Sequence, residues 1–142
     1  MAIDSGRVVL GGLVAGLVMN VVDATANGML LGGQWTAETN ALNPALLAKA
    51  TSSSTIWWVV LDFLAGVAIV WTYAAIRPRF GAGPGTAMKA ALLVWFVLHI
   101  MYASYVTMGL YSASLIGLSS LAGLVAAVAG GYAGAMLYRE TP

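Results

Sequence analysis

Asn20-Val21-Val22-Asp23-Ala24-Thr25-Ala26-Asn27 sets two asparagines and an aspartate inside an apolar run that otherwise reads as a membrane-spanning helix from about Gly6 to Gly32. At 100° per residue, Gly12, Gly16, Asn20, Asp23 and Asn27 fall within an arc of roughly 80°, so glycines and polar groups share one helical face. A carboxylate in hydrocarbon costs on the order of 2.5–3.5 kcal/mol, so that face is expected to look into protein and not into lipid.

The rest of the chain has the composition of an integral membrane protein. Hydrophobic residues make up 61% of its 142 residues and charged residues 8%, with a mean hydropathy of +0.89. Spans of ~20 residues each account for more than half of that length if there are four of them, which leaves room for a single membrane domain over residues 1–142. A net charge of +1 without a basic run gives no footprint for nucleic acid. The absence of cysteine removes disulfides, thiolate nucleophiles and iron–sulfur ligation. Arg7, the apolar run and Ala24-Thr25-Ala26 imitate a signal peptide with its cleavage site. Asn20 and Asp23 just before that site speak against one, and the segment is expected to be the first span.

Working outward, the second span is expected from about Ile56 to Arg77, stopped by Pro78, the third from about Ala87 to Leu110 and the fourth from about Leu115 to Tyr138, with Arg139-Glu140 at its edge. The fold class is therefore an all-α, four-transmembrane-helix bundle. A polar connector, 33–55, carries Glu38, Lys49 and the run Thr51-Ser52-Ser53-Ser54-Thr55. Within it Asn43-Pro44 is an N-cap followed by proline at the first helical position, which predicts a short helix over 43–50, either a lid on the bundle or part of an ordinary surface loop. Arg7, Arg77, Arg79, Lys89 and Arg139 fall on one side of this topology and only Lys49 on the other. That bias predicts both termini and the Arg77–Lys89 link in the cytoplasm and the 33–55 connector outside. Trp35, Trp57, Trp58 and Tyr111 suit the outer lipid–water boundary, Tyr73, Tyr132 and Tyr138 the inner one, while Trp71 and Trp95 lie deeper and are expected in the core.

Small residues recur at four-residue spacing at Gly12 and Gly16 and at Ala122, Ala126, Gly130 and Gly134, stripes that let helix backbones approach closely. They suit a neighbour in the same chain, another copy in a homo-oligomer, or other membrane subunits; the bilayer itself is the remaining partner.

Counting 1.5 Å per residue from the centre of each span brings Asp23, Asp62 and His99 into one slab, with Tyr102 close by. The candidate intramembrane polar site is thus Asn20, Asp23, Asn27, Asp62, His99 and Tyr102. With no Lys or Arg expected in the slab, either one aspartate is protonated, as happens when like charges share a site, or a cation or water cluster occupies it. Four readings compete: a polar network that sets helix register; a route for protons or a small solute through Asp23, Asp62 and His99; a divalent metal on those same three side chains; and haem or pigment ligation by His99. No cofactor is predicted as a resident group. No Gly-x-Ser-x-Gly elbow or P-loop occurs, so no catalytic residue is assigned.

The run Tyr73-Ala-Ala-Ile-Arg-Pro-Arg-Phe-Gly-Ala-Gly-Pro-Gly-Thr-Ala87, followed by an apolar span, resembles the middle of small four-span bacterial inner-membrane proteins that carry no assigned activity. The resemblance covers the second hairpin connection and implies topology only. The expected role is non-enzymatic, as an accessory or scaffold subunit of a larger membrane assembly. A small proton- or solute-transporting protein and an electron-transfer subunit holding haem, pigment or quinone are the alternatives.

Overall fold

The computed structural model describes residues 3–49 and 52–139; Ala50 and Thr51 in the expected connector and Glu140 at the close of the fourth span lie outside the described residues. The chain forms α1 (Ser5–Asp23), a π-helical extension (Ala24–Leu30), α2 (Gly32–Leu42), α3 (Pro44–Lys49), α4 (Ser52–Phe80), α5 (Pro84–Tyr102), α6 (Ser104–Thr107) and α7 (Ala113–Leu137). Four stretches are long and apolar enough to cross a membrane: Ser5–Leu30, Thr55–Phe80, Pro84–Thr107 and Ala113–Leu137. The architecture is an all-α four-helix membrane bundle.

Capping side chains set where two of these helices begin. Asp4 accepts the Arg7 N–H at 3.0 Å at the head of α1, and Ser112 accepts the Leu115 N–H at 3.2 Å at the head of α7. The second span does not stop at Pro78. A proline this close to a helix end removes one hydrogen bond and nothing downstream depends on it, so α4 continues to Phe80. It closes where the Gly81 N–H meets the Arg77 carbonyl at 2.8 Å, with Gly81 at φ +82°. The third span is broken before Leu110. After Tyr102 the chain makes the short α6, and Gly109 at φ +69° ends it, donating to Val106 while Leu110 donates to Tyr105. Both bonds belong to the Schellman closure that a left-handed glycine permits.

Around the bundle, α1 packs on α4 and α7, α5 packs on the same two helices, and α4 and α7 meet more lightly across the diagonal. The seams are built from small residues. A Cβ at Gly66 would lie 2.5 Å from the Gly12 carbonyl oxygen and the Gly16 nitrogen, and one at Gly134 would lie 2.6 Å from the Gly11 carbonyl oxygen. Gly12 and Gly16 thus face α4, and Gly130 and Gly134 face α1, within the chain. The core follows the same rule, with Ala15, Ala74, Ala87, Ala90, Ala91, Ala126 and Ala127 buried beside Ile69, Val70 and Leu115. In lipid, where apolar burial offers little advantage over contact with acyl chains, close backbone approach is what holds such helices together.

The aromatic residues are distributed differently from the expectation. Trp71 is 55% exposed and points out of the bundle, whereas Trp95 packs against the core. Tyr73 and Tyr138 are buried against each other at the end of the bundle that holds both chain ends, ring edge to face, 6.0 Å apart.

Candidate functional site

The site begins where α1 widens into the π-helical turn. Leu31 donates to the Ala26 carbonyl, five residues back, at 2.8 Å, and Thr25 Oγ1 donates to the Val21 carbonyl at 2.8 Å. A wider turn changes the face on which each side chain emerges, which is why such turns recur at functional positions. Asn20, still in the regular helix, donates from Nδ2 to its own Gly16 carbonyl at 2.9 Å and to the Val59 carbonyl of α4 at 3.3 Å. Asn27, beyond Asp23, reaches the opposite neighbour, accepting from Ser119 of α7 at 2.7 Å. The polar face read as one stripe is shared between two seams.

Asp23 and Asp62 meet across the α1–α4 seam, within hydrogen-bonding reach of each other. An ionised carboxylate only accepts, so a hydrogen bond between the two requires a proton on one of them. Neither is ion-paired to a Lys or Arg among the described residues, where the salt bridge is Arg7–Asp4 at the start of α1. Asn27 Nδ2 donates to Asp23 at 3.3 Å, and Asn27 Oδ1 also accepts from the Trp35 indole at 3.3 Å. Ser119, 5% exposed, lies beside Tyr102. A run of neighbouring polar groups, Asp62, Asp23, Asn27 and Ser119 with Tyr102 beside the last, therefore draws on four spans.

His99 lies within electrostatic reach of Asp23 but is held by its own helix. Its Nδ1 sits 2.9 Å from the Trp95 carbonyl, and because a carbonyl can only accept, Nδ1 carries the hydrogen. The ring stacks on Trp95 at 5.4 Å and touches Tyr102 at 5.8 Å. Nε2 is turned toward Gly123 of α7, the residue whose missing side chain makes room for the imidazole. A groove of about 210 Å3 lined by Trp95, Phe96, His99, Ile100 and Ser120 opens beside it. Among the described residues, no three His, Asp or Glu side chains are arranged to hold a metal ion.

The end of the bundle away from the termini is covered by α2, not by the described part of the segment over 43–50, Pro44–Lys49. Asn43 Oδ1 accepts the Ala45 N–H at 2.9 Å, capping α3, and α3 packs on α2. In α2, Trp35 lies against Tyr111 at 5.0 Å and Tyr102 at 6.4 Å, and Thr39 meets the Tyr111 hydroxyl at 3.2 Å. Glu38 accepts from the Ser112 backbone N–H at 2.8 Å and its hydroxyl at 2.6 Å, with Gln34 donating to Glu38 at 2.9 Å. Donation from the Ser112 backbone, then from its hydroxyl and from Gln34, holds the Glu38 carboxyl below the usual glutamate range. The same carboxylate sits at the N-terminus of α7, where negative charge is favoured.

Sequence reasoning missed Trp35, Ser119, Ser112 and Gly123. Ser119 is one serine in a run that also holds Ser112, Ser114 and Ser120, and nothing in the run marks it as the one facing Asn27. Ser112 had a local signal, being a capping residue type just before an apolar helix. Comparison with known proteins adds no assignment: no family model matches the chain, and no curated protein and no solved structure matches it.

Proposed function

We propose that this chain is a non-enzymatic protein of a bacterial inner membrane, with both termini and the α4–α5 link in the cytoplasm, serving as an accessory or scaffold subunit of a larger membrane assembly. What supports the reading is that the polar groups inside the bundle are used on one another. Asn20 ties α1 to α4, Asn27 ties it to α7, and Trp95 ties α5 to α7 through the Ser120 carbonyl at 2.9 Å. Such cross-bonds hold one helix arrangement. The outward faces, with Leu93, Phe96, Val97 and Met101 on α5 and Leu121 and Val125 on α7, are left to lipid or to a partner span, which is another membrane protein or a second copy of the chain. The orientation rests on the positive-inside bias of Arg7, Arg77, Arg79, Lys89 and Arg139.

Extraction of the tagged chain in a mild detergent tests this. A membrane protein that co-purifies in fixed stoichiometry is the expected result. A chain that purifies alone and conducts protons in proteoliposomes, losing that flux in Asp23→Asn and Asp62→Asn, overturns it in favour of the second reading, a proton- or solute-transporting protein working through Asp23, Asp62 and His99. The observation favouring that second reading is that two carboxyl groups, Asp23 and Asp62, lie together inside the bundle, where ionisable groups often mark a proton or ion route.

A further inference from the structure

The groove of about 210 Å3 between α5 and α7 is lined by two polar groups that the bundle leaves unused, His99 Nε2 and the Ser120 hydroxyl. With Nδ1 of His99 donating to the Trp95 carbonyl, the lone pair of the neutral imidazole lies on Nε2. Among the described residues neither Nε2 nor the Ser120 hydroxyl takes part in a hydrogen bond, and neither atom is enclosed by protein. Their depth makes this costly. At 1.5 Å per residue His99 lies roughly 5 Å and Ser120 roughly 8 Å from the middle of its span, both toward the end away from the termini. Hydrocarbon at that depth supplies no water to satisfy them, so their complement has to come from the lipid phase.

The walls set the shape of that complement. Trp95 stacks on the imidazole at 5.4 Å and its indole N–H is fixed on the Ser120 carbonyl at 2.9 Å, which holds both sides of the groove in place. Gly123, where a Cβ would collide with Nε2, leaves that nitrogen room. Phe96 and Ile100, 56% and 57% exposed, form an apolar rim open to the bilayer. A cavity of about 150 Å3 takes up benzene, so about 210 Å3 seats one substituted ring and not the fused rings of a sterol. A ring hydroxyl satisfies both polar groups, donating to Nε2 and accepting from Ser120, whereas a ring carbonyl has no hydrogen for Nε2. We infer that this groove binds the hydroquinone ring of a lipid-soluble quinol in preference to the oxidised quinone, with His99 Nε2 accepting from the ring hydroxyl and the tail leaving past Phe96 and Ile100.

Histidine occurs once in the chain, so nitrogen magnetic resonance of isotope-labelled histidine reads this ring directly. The test places the full chain in nanodiscs of dioleoylphosphatidylcholine, a lipid without a hydroxyl, and titrates it with duroquinol kept reduced by dithionite, with duroquinone, or with dodecanol. The expected result is a saturable shift of the Nε2 resonance by duroquinol, at an affinity about tenfold or more above that of duroquinone, which leaves Nε2 unpaired. Ser120→Ala, which keeps the backbone carbonyl that anchors Trp95, is expected to weaken duroquinol binding about fivefold, the effect of one lost hydrogen bond. An Nε2 resonance that duroquinol does not move, equal affinity for duroquinol and duroquinone, or undiminished binding in Ser120→Ala overturns the site. Dodecanol acting at the affinity of duroquinol overturns the ring assignment and identifies a lipid-phase alcohol as the ligand.

Discussion

Replacing Gly66 by alanine is expected to open the seam that brings Asp62 to Asp23. The added Cβ would stand 2.5 Å from the Gly12 carbonyl oxygen and the Gly16 nitrogen, both backbone atoms, where ordinary contact begins at 3.4 Å. No side chain can swing away to absorb the difference, so α1 and α4 have to part by about 0.9 Å, a gap that forfeits a quarter to a half of the dispersion attraction along the contact. Overpacking of this kind costs about 1–3 kcal/mol. The Asn20–Val59 bond is already 3.3 Å long and would be lost, adding roughly 0.5–1.5 kcal/mol. The expected destabilisation is therefore about 1.5–4.5 kcal/mol, measured as a shift in the sodium dodecyl sulfate unfolding curve in mixed micelles by far-ultraviolet circular dichroism. Gly117→Ala is the control, because a Cβ there meets nothing within 4 Å. A Gly66→Ala protein within 0.5 kcal/mol of the parent, or a Gly117→Ala protein equally weakened, would refute the close-contact account of the bundle.

Asn27→Ala leaves the Ser119 hydroxyl and the Trp35 indole without their shared acceptor, so a loss of about 1–3 kcal/mol and a change in tryptophan emission are expected in the same unfolding assay. Glu38 has its carboxyl pKa lowered in the folded chain, so its contribution is complete above the ordinary value of 4.5 and is lost as the pH falls through the lowered one. Melting temperature against pH is expected to show an acid-side fall of this origin that Glu38→Gln removes; an identical profile in the variant would dismiss the α2–α7 clasp as a stabilising contact. Ser53→Cys, introduced into this cysteine-free chain, is expected to react with a membrane-impermeant maleimide added outside spheroplasts, and labelling only after lysis would reverse the proposed orientation.

Much of this molecule is legible in its amino-acid sequence. Four apolar runs stand out because a backbone in lipid must satisfy its own hydrogen bonds, so each span has to be one long helix and hydropathy alone finds it. The oddity of Asp23 and Asp62 was legible for the complementary reason, that ionisable groups in hydrocarbon are too costly to be incidental. The small-residue stripes announced close helix approach, and of the partners they suit, Gly12, Gly16, Gly130 and Gly134 meet helices of their own chain in the structure.

What tertiary structure alone decided is who meets whom. A reading at 100° per residue puts Asn20, Asp23 and Asn27 on one stripe, and the i→i+5 turn after Asp23 divides them between α4 and α7. Ser119 becomes the partner of Asn27 through the crossing of α1 and α7 at Gly130 and Gly134, a contact between residues 92 apart that no local pattern encodes. The cover formed by α2 depends likewise on Glu38 finding Ser112 at the head of α7. Hydropathy and charge are one-dimensional properties and fix depth in the membrane; contacts across helices depend on crossing geometry, which is set when backbones touch.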